Sequence, residues 1–166
     1  AWQRYSSIET YANLYGLVVV MPSVGRSFYT DQPNGQKYFT YLTQELPQYL
    51  SDVFDLQPKR EDTLIAGLSM GGYGAFKAAF HYPERFCAVA SFSGVLSLEI
   101  LKLDPDKSRQ EEFVLLFGDL DKLYGSPHDP AVWIQNAAKE PGRLPRLFIA
   151  CGRQDDLYPL NQLVVA

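Results

Sequence analysis

Two histidines and two cysteines are all that 166 residues offer of the side chains that most often hold metals. With so few, no Cys/His cluster reaches zinc-ligand spacing, and the acidic residues of "DLDKLYGSPHDP" at 119–130 lack the periodicity and terminal Glu of a calcium loop. No metal and no cofactor are expected. Long apolar runs are missing too. The longest purely apolar stretch, "LVVVM" at 17–21, is far short of the ~20 residues that cross a bilayer, and no basic-then-apolar leader opens the chain. Basic charge is not in excess, at 15 Lys and Arg against 19 Asp and Glu, for a net charge of -4. Without a basic stripe, nucleic acid is not an expected partner. No membrane partner is expected, because no apolar run is long enough to span one, and a homo-oligomer is compatible with the composition.

The cysteines themselves argue against a disulfide. If Cys87 opens one parallel strand and Cys151 closes another, an offset of ~4 residues at ~3.3 Å each puts them beyond disulfide reach. Reduced thiols and a cytoplasmic setting follow. What is present is ordinary for a globular chain: 46% hydrophobic and 20% charged residues predict a single domain over 1–166 with a real core. The chain starts at Ala1 without Met and stops in "LVVA", which reads as a fragment truncated at both ends.

The apolar pattern alternates between two periods. "GLVVVMP" at 16–22 predicts a strand buried on both faces. From Lys37 to Val53, Phe39, Leu42, Leu46, Tyr49, Leu50 and Val53 recur at three- and four-residue spacing, which predicts a helix kinked at Pro47. "TLIAG" from Thr63 predicts a second buried strand, "MGGYGAFKAAFHY" a helix with Ala75, Ala78 and Ala79 on its small-residue face, and Phe86–Phe92 a third strand. "RLFIACG" at 146–152 predicts a fourth. Strand and helix in this rhythm imply an α/β fold, a mostly parallel sheet with right-handed crossovers and flanking helices. Residues 95–145 read as a cap-like insertion in which "FVLLFG" fits strand or core helix, while Asp129 and Pro130 make an N-cap and first turn for "PAVWIQNAAKE".

In "GLSMG", Gly67 and Gly71 flank Ser69 between a predicted strand and a predicted helix, the setting of a nucleophile elbow. So tight a turn strains the serine and leaves no room for bulk at either flank, so glycine is expected at both for steric reasons. It lifts the Ser69 hydroxyl above the sheet at a helix N-terminus, where the Met70 amide points at a developing oxyanion. Ser91 and Ser93 in "SFSG" open no helix behind a tight turn and read as strand-end polar residues.

With "VVVMPSVGRSFYTD" at 18–31, "ELPQYL" at 45–50, "AGLSMGGYGAFKAAFHYPERF" at 66–86, "FGDLD" at 117–121 and "FIACGRQDDLY" at 148–158, the chain resembles the esterase D branch of the α/β-hydrolases. That branch includes tributyrin-type acetyl esterases, S-formylglutathione hydrolases and feruloyl esterases. The resemblance implies an α/β-hydrolase fold and a serine carboxylesterase that cleaves small short-chain acyl esters through an acyl-enzyme. A thioesterase of the S-formylglutathione hydrolase type or an acyltransferase is the alternative, and a non-catalytic binding protein if the chain is complete.

A serine–histidine pair needs a carboxylate on the loop after a later strand. Asp155, three residues past Gly152, fits that place, and the resemblance points to it as well. Asp156 beside it and Asp119 in "FGDLD" stay open as competitors. The base is expected after the acid, yet none of the eleven residues beyond Asp155 is histidine. His81 lies twelve residues along the helix, roughly 18 Å from Ser69 at the rise of a helix, and reads as a structural residue of the helix end. His128 precedes the acid and would need an unusual triad order. The resemblance implies a histidine beyond Ala166, and an N-terminal strand and oxyanion loop before Ala1.

"GRSFYTD" follows the first strand at its carboxyl end, the edge where open α/β sheets bind ligands. Arg26, Phe28 and Tyr29 are therefore candidates for the substrate pocket, against the alternative that the aromatics only cover the sheet. Trp133 and Tyr124 read as core residues of the insertion before substrate platforms.

Overall fold

The computed structural model describes residues 2–165. Helices α1 (Trp2–Tyr5) and α2 (Ile8–Tyr15) open the chain, and Gly16, left-handed at φ 63°, closes the second. The stretch that follows departs from expectation. Residues 17–22 pair with no strand among the described residues, and Val18 is 69% exposed. A strand is made by ladder hydrogen bonds, so β-branched composition alone does not create one without a neighbour.

The helix expected from Lys37 is present in three pieces: α3 (Tyr38–Thr40), a π-helical turn (Tyr41–Glu45) and α4 (Leu46–Phe54). The irregularity falls just before Pro47 rather than at it. Pro47 has no N–H for the carbonyl of Thr43 four residues back, and the Arg85 guanidinium donates to that carbonyl instead.

Three parallel strands, β1 (Leu64–Leu68), β2 (Ala88–Phe92) and β3 (Arg146–Ala150), lie in the order 1-2-3. They match three of the four expected strands within two residues at each end. Their register aligns Leu68, Phe92 and Ala150, so all three chains leave the sheet at one edge. Helix α5 (Met70–His81) carries β1 to β2. Between β2 and β3 come a 3-10 segment (Leu98–Leu103), α6 (Lys107–Phe117) and α7 (Pro130–Ala137); α8 (Tyr158–Val165) follows β3. "FVLLFG" is thus helical. The N-cap of α7 is as expected, with Asp129 accepting from Ala131 N–H at 2.9 Å and from Gly125 N–H at 2.8 Å.

Helix α5 is the hub of the packing. Ala75, Phe76 and Ala79 press on Val89 and Leu96 against the sheet, and the two alanines let the helix come close. Its other face buries Tyr73 among Phe28, Phe113 and Trp133 from the loop and the 95–145 segment. Phe76 alone, fully buried, contributes about 1.5–3 kcal/mol. Cys87 and Cys151 are free and flank opposite ends of neighbouring strands. No helix among the described residues is long and apolar enough to cross a membrane.

Candidate active site

Ser69 stands between β1 and α5 with φ 55° and ψ -119°. A residue with a Cβ pays on the order of 1–3 kcal/mol for such a conformation and keeps it only where its surroundings over-determine it. Here they do. Its amide donates to Phe92 O at 2.9 Å, and its carbonyl accepts from Gly72 at 2.9 Å, Tyr73 at 3.3 Å and Val95 at 3.3 Å.

Close approach explains one flanking glycine but not the other. A Cβ on Gly67 would run into the carbonyl of Gly71. A Cβ on Gly71 would meet only the Tyr29 hydroxyl, at 3.7 Å, an ordinary contact. The second crowded position is Gly72, where a Cβ would lie 2.5 Å from Ser91 Oγ and 2.8 Å from Gly94 Cα. The helix crosses β2 at Gly72, and the expectation for Gly71 is corrected accordingly. The buried Ser91 side chain fills the space between Gly72 and Gly94.

Because the Gly72 and Tyr73 amides are committed to Ser69 O, those of Met70 and Gly71 face out of the helix N-terminus. Partial positive charge gathers there, beside the serine hydroxyl. This is the placement that an oxyanion donor at Met70 requires.

The loop after β3 that carries Asp155 reaches the same edge through β2. Ser93, next after Phe92, donates its amide to Ala150 O at 2.7 Å. Asp155 accepts from Leu157 N–H at 2.8 Å, and this bond together with the neighbouring Ser93 hydroxyl holds its carboxyl below the usual carboxylate range. Ser93 is itself left-handed, at φ 44°. Sequence reasoning missed its part in the site, and the signal was register: Ser93 is one step past a residue aligned with Leu68, as Ser69 is. The competing carboxylates are differently engaged. Asp119 pairs with Lys122 at 3.0 Å and caps the following turn through Asp121 N–H, while Asp156 is exposed.

Neither histidine hydrogen-bonds Ser69. His81 Nδ1 lies 2.8 Å from Lys77 O in its own helix, a structural contact of the helix end. His128 packs against the Phe117 ring at 5.2 Å between centroids, with Nδ1 buried and unpartnered. Burial lowers the pKa of both.

The pocket candidates separate. Arg26 forms an exposed ion pair with Glu112 at 3.0 Å. Phe28, 8% exposed, belongs to the core, edge-on to Tyr73. Tyr29 lies along α5 against Gly71 and Gly74. Trp133 is buried and Tyr124 exposed. Cavities of about 320 Å³ beside His81 and about 300 Å³ between α7 and α8 are lined without Ser69. Among the described residues no group of three or more His, Cys, Asp or Glu could hold a metal.

A family model described as "Putative esterase" matches residues 5–164. The acetyl esterase of Caldicellulosiruptor saccharolyticus is 33% identical over 167 residues, covering 97% of this chain and 63% of that protein. Two solved structures from Staphylococcus aureus are similar throughout. The substrate-bound fluorophosphonate-binding serine hydrolase FphF superposes with TM-score 0.87 and 35% identity, over 99% of this chain and 63% of its own. The S-formylglutathione hydrolase FrmB superposes with TM-score 0.84 and 36% identity, over 99% and 64%. The chain thus has the α/β-hydrolase fold and spans somewhat under two thirds of the length of these relatives.

Proposed function

Since the chain belongs to this esterase family, we propose that the whole protein is a serine carboxylesterase acting on short-chain acyl esters of the tributyrin type. One observation carries the reading: Ser69 is held at φ 55° and ψ -119°, a strained conformation, at the open end of α5. In this scheme Ser69 Oγ attacks the ester carbonyl and the Met70 amide stabilises the oxyanion. The tetrahedral adduct expels the alcohol, and water then releases the acyl group from Ser69. Asp155 orients the imidazole that takes the serine proton. With His81 bonded to its own helix and His128 lodged against Phe117, that imidazole is assigned to a histidine outside the 166 residues. Residues 1–166 act as one domain, with 95–145 as a cap-like insertion that shares its core with α5. The free thiols support a cytoplasmic setting.

A thioesterase acting on S-formylglutathione is the second reading, favoured by the likeness to FrmB. Turnover of an acetyl ester and of S-formylglutathione by the full-length protein, side by side with its Ser69→Ala variant, tests both. Ester turnover that vanishes in the variant is expected. A variant as active as wild type would sink the role of Ser69, and turnover confined to the thioester would favour the second reading.

A further inference from the structure

Helix α5 buries a charge that the reaction as described does not use. Lys77 is 5% exposed. Its Nζ donates to Tyr29 O at 2.9 Å and Thr30 Oγ1 at 3.3 Å, and lies 4.7 Å from the centroid of the Phe39 ring. Taking an ammonium out of water is costly unless it is well partnered. Burial lowers the Lys77 pKa to about 8, with Asp31 only partly offsetting it. The fold therefore bears a cost in order to grip this one loop.

The gripped loop is itself strained. Phe28 and Tyr29 are consecutive left-handed residues, at φ 48° and 51°, a conformation that side chains with a Cβ adopt reluctantly. Two buried hydroxyls clamp the turn from within: Ser27 Oγ accepts from Tyr29 N–H at 3.1 Å, and Thr30 Oγ1 donates to Phe28 O at 3.2 Å. The product of these clamps is the position of one ring. The Tyr29 ring fills the space that a side chain at residue 74 would need, so Gly74 is required there. Its hydroxyl reaches the first turn of α5, 3.7 Å from where a Cβ of Gly71 would be, two residues from Ser69. Tyr29 is only half-buried, and its hydroxyl is not among the fully buried polar atoms, so it is open to a ligand. The Tyr29 hydroxyl makes no hydrogen bond to the described residues, and burial raises its pKa, so it stays protonated and able to donate.

Resting on the esterase reading, we propose that Lys77 is a positioning residue, locking the strained 28–29 turn so that Tyr29 donates a hydrogen bond to an oxygen of the ester bound at Ser69. Tyr29 touches the substrate and Lys77 acts through it. The grip depends on a protonated Lys77. The titratable groups around it are Asp31 and Tyr29 on the loop, Tyr73 and His81 on α5, and His128 on the loop before α7. The Asp31 carboxyl and both histidines are shifted down and the Tyr29 and Tyr73 phenols up, each away from the region near pH 8 where Lys77 titrates.

The test uses the full-length protein with a short-chain acyl ester. It measures kcat and KM from pH 6.5 to 9.5, fluorophosphonate labelling and thermal unfolding for wild type, Tyr29→Phe, Lys77→Met and the double variant. Tyr29→Phe removes only a hydroxyl without a protein partner, so it should unfold like wild type while kcat/KM falls about five- to tenfold. Lys77→Met should lose at least as much and also lose the fall in kcat/KM that wild type shows near pH 8. The double variant should be little worse than Lys77→Met, as expected of two residues acting as one unit. Unchanged kcat/KM in Tyr29→Phe overturns the proposal, and so does a wild-type profile flat across pH 7 to 9.5. If Lys77→Met does not fold, those two results decide alone. Wild type that neither labels nor turns over ester overturns the esterase reading and this proposal with it; active, labelling wild type beside an unimpaired Tyr29→Phe overturns this proposal only.

Discussion

The amide of Ser69 donates to the carbonyl of Phe92 at 2.9 Å, so the first residue beyond β1 is tied to the last residue of β2. The same edge then passes through Ser93 to Ala150 and to the Asp155 carboxylate. Ser69 and Asp155, 86 residues apart in sequence, thereby share one sheet edge with a single strand end between them.

Relief of the Ser69 turn should be measurable. Ser69→Gly replaces a strained residue whose side chain caps no helix amide with one that adopts φ 55° freely. After the extra entropy of the unfolded glycine chain is subtracted, stability should rise by about 1 kcal/mol in denaturant unfolding, with ester turnover abolished. A destabilised Ser69→Gly protein would show that the turn is not strained.

The glycines around the elbow should respond unequally to alanine. Gly67→Ala and Gly72→Ala drive a methyl into backbone, and each is expected to cost more than about 3 kcal/mol or to prevent folding. Gly71→Ala meets only the Tyr29 hydroxyl and gains helix propensity, so its stability should stay within about 1 kcal/mol of wild type. Equal losses at all three positions in thermal unfolding would contradict this geometry.

Ser93→Ala removes one of the two groups that depress the Asp155 carboxyl. Carbon-13 NMR titration should show the Asp155 pKa moving up toward the ordinary value, and kcat/KM should fall roughly tenfold as the acid loosens. An unmoved titration would mean that Leu157 alone holds the carboxylate.

Both histidines lower stability on the acid side. Each has its pKa depressed below 6.5 by burial, so between that value and its folded pKa the unfolded chain binds more protons. Stability should therefore be complete above pH 6.5 and decline as the pH falls through the folded values. Denaturant midpoints at pH 7.5 and 5.5 should differ, and less so in His81→Gln and His128→Gln. Midpoints that do not change with pH would refute the assignment.

Much of this was legible in the sequence because it is local. The strand-to-helix turn at Ser69, the helix that follows and the Asp129–Pro130 cap are each determined by residues within a few positions of one another, where hydrophobic period and capping chemistry act. The apolar run at 17–21 shows the limit of such reasoning: its composition favours a strand, but a ladder partner is not encoded within the segment. Tertiary structure decided what depends on distant chain. Crowding fell on Gly72 rather than Gly71 because only the packed sheet says which helix residue crosses β2, and Ser93 joined the site because parallel register sets it beside Ser69. Lys77 lies beneath the Tyr29 loop for the same reason: the two residues, 48 positions apart, meet only when α5 packs on the loop, and no local pattern carries that contact.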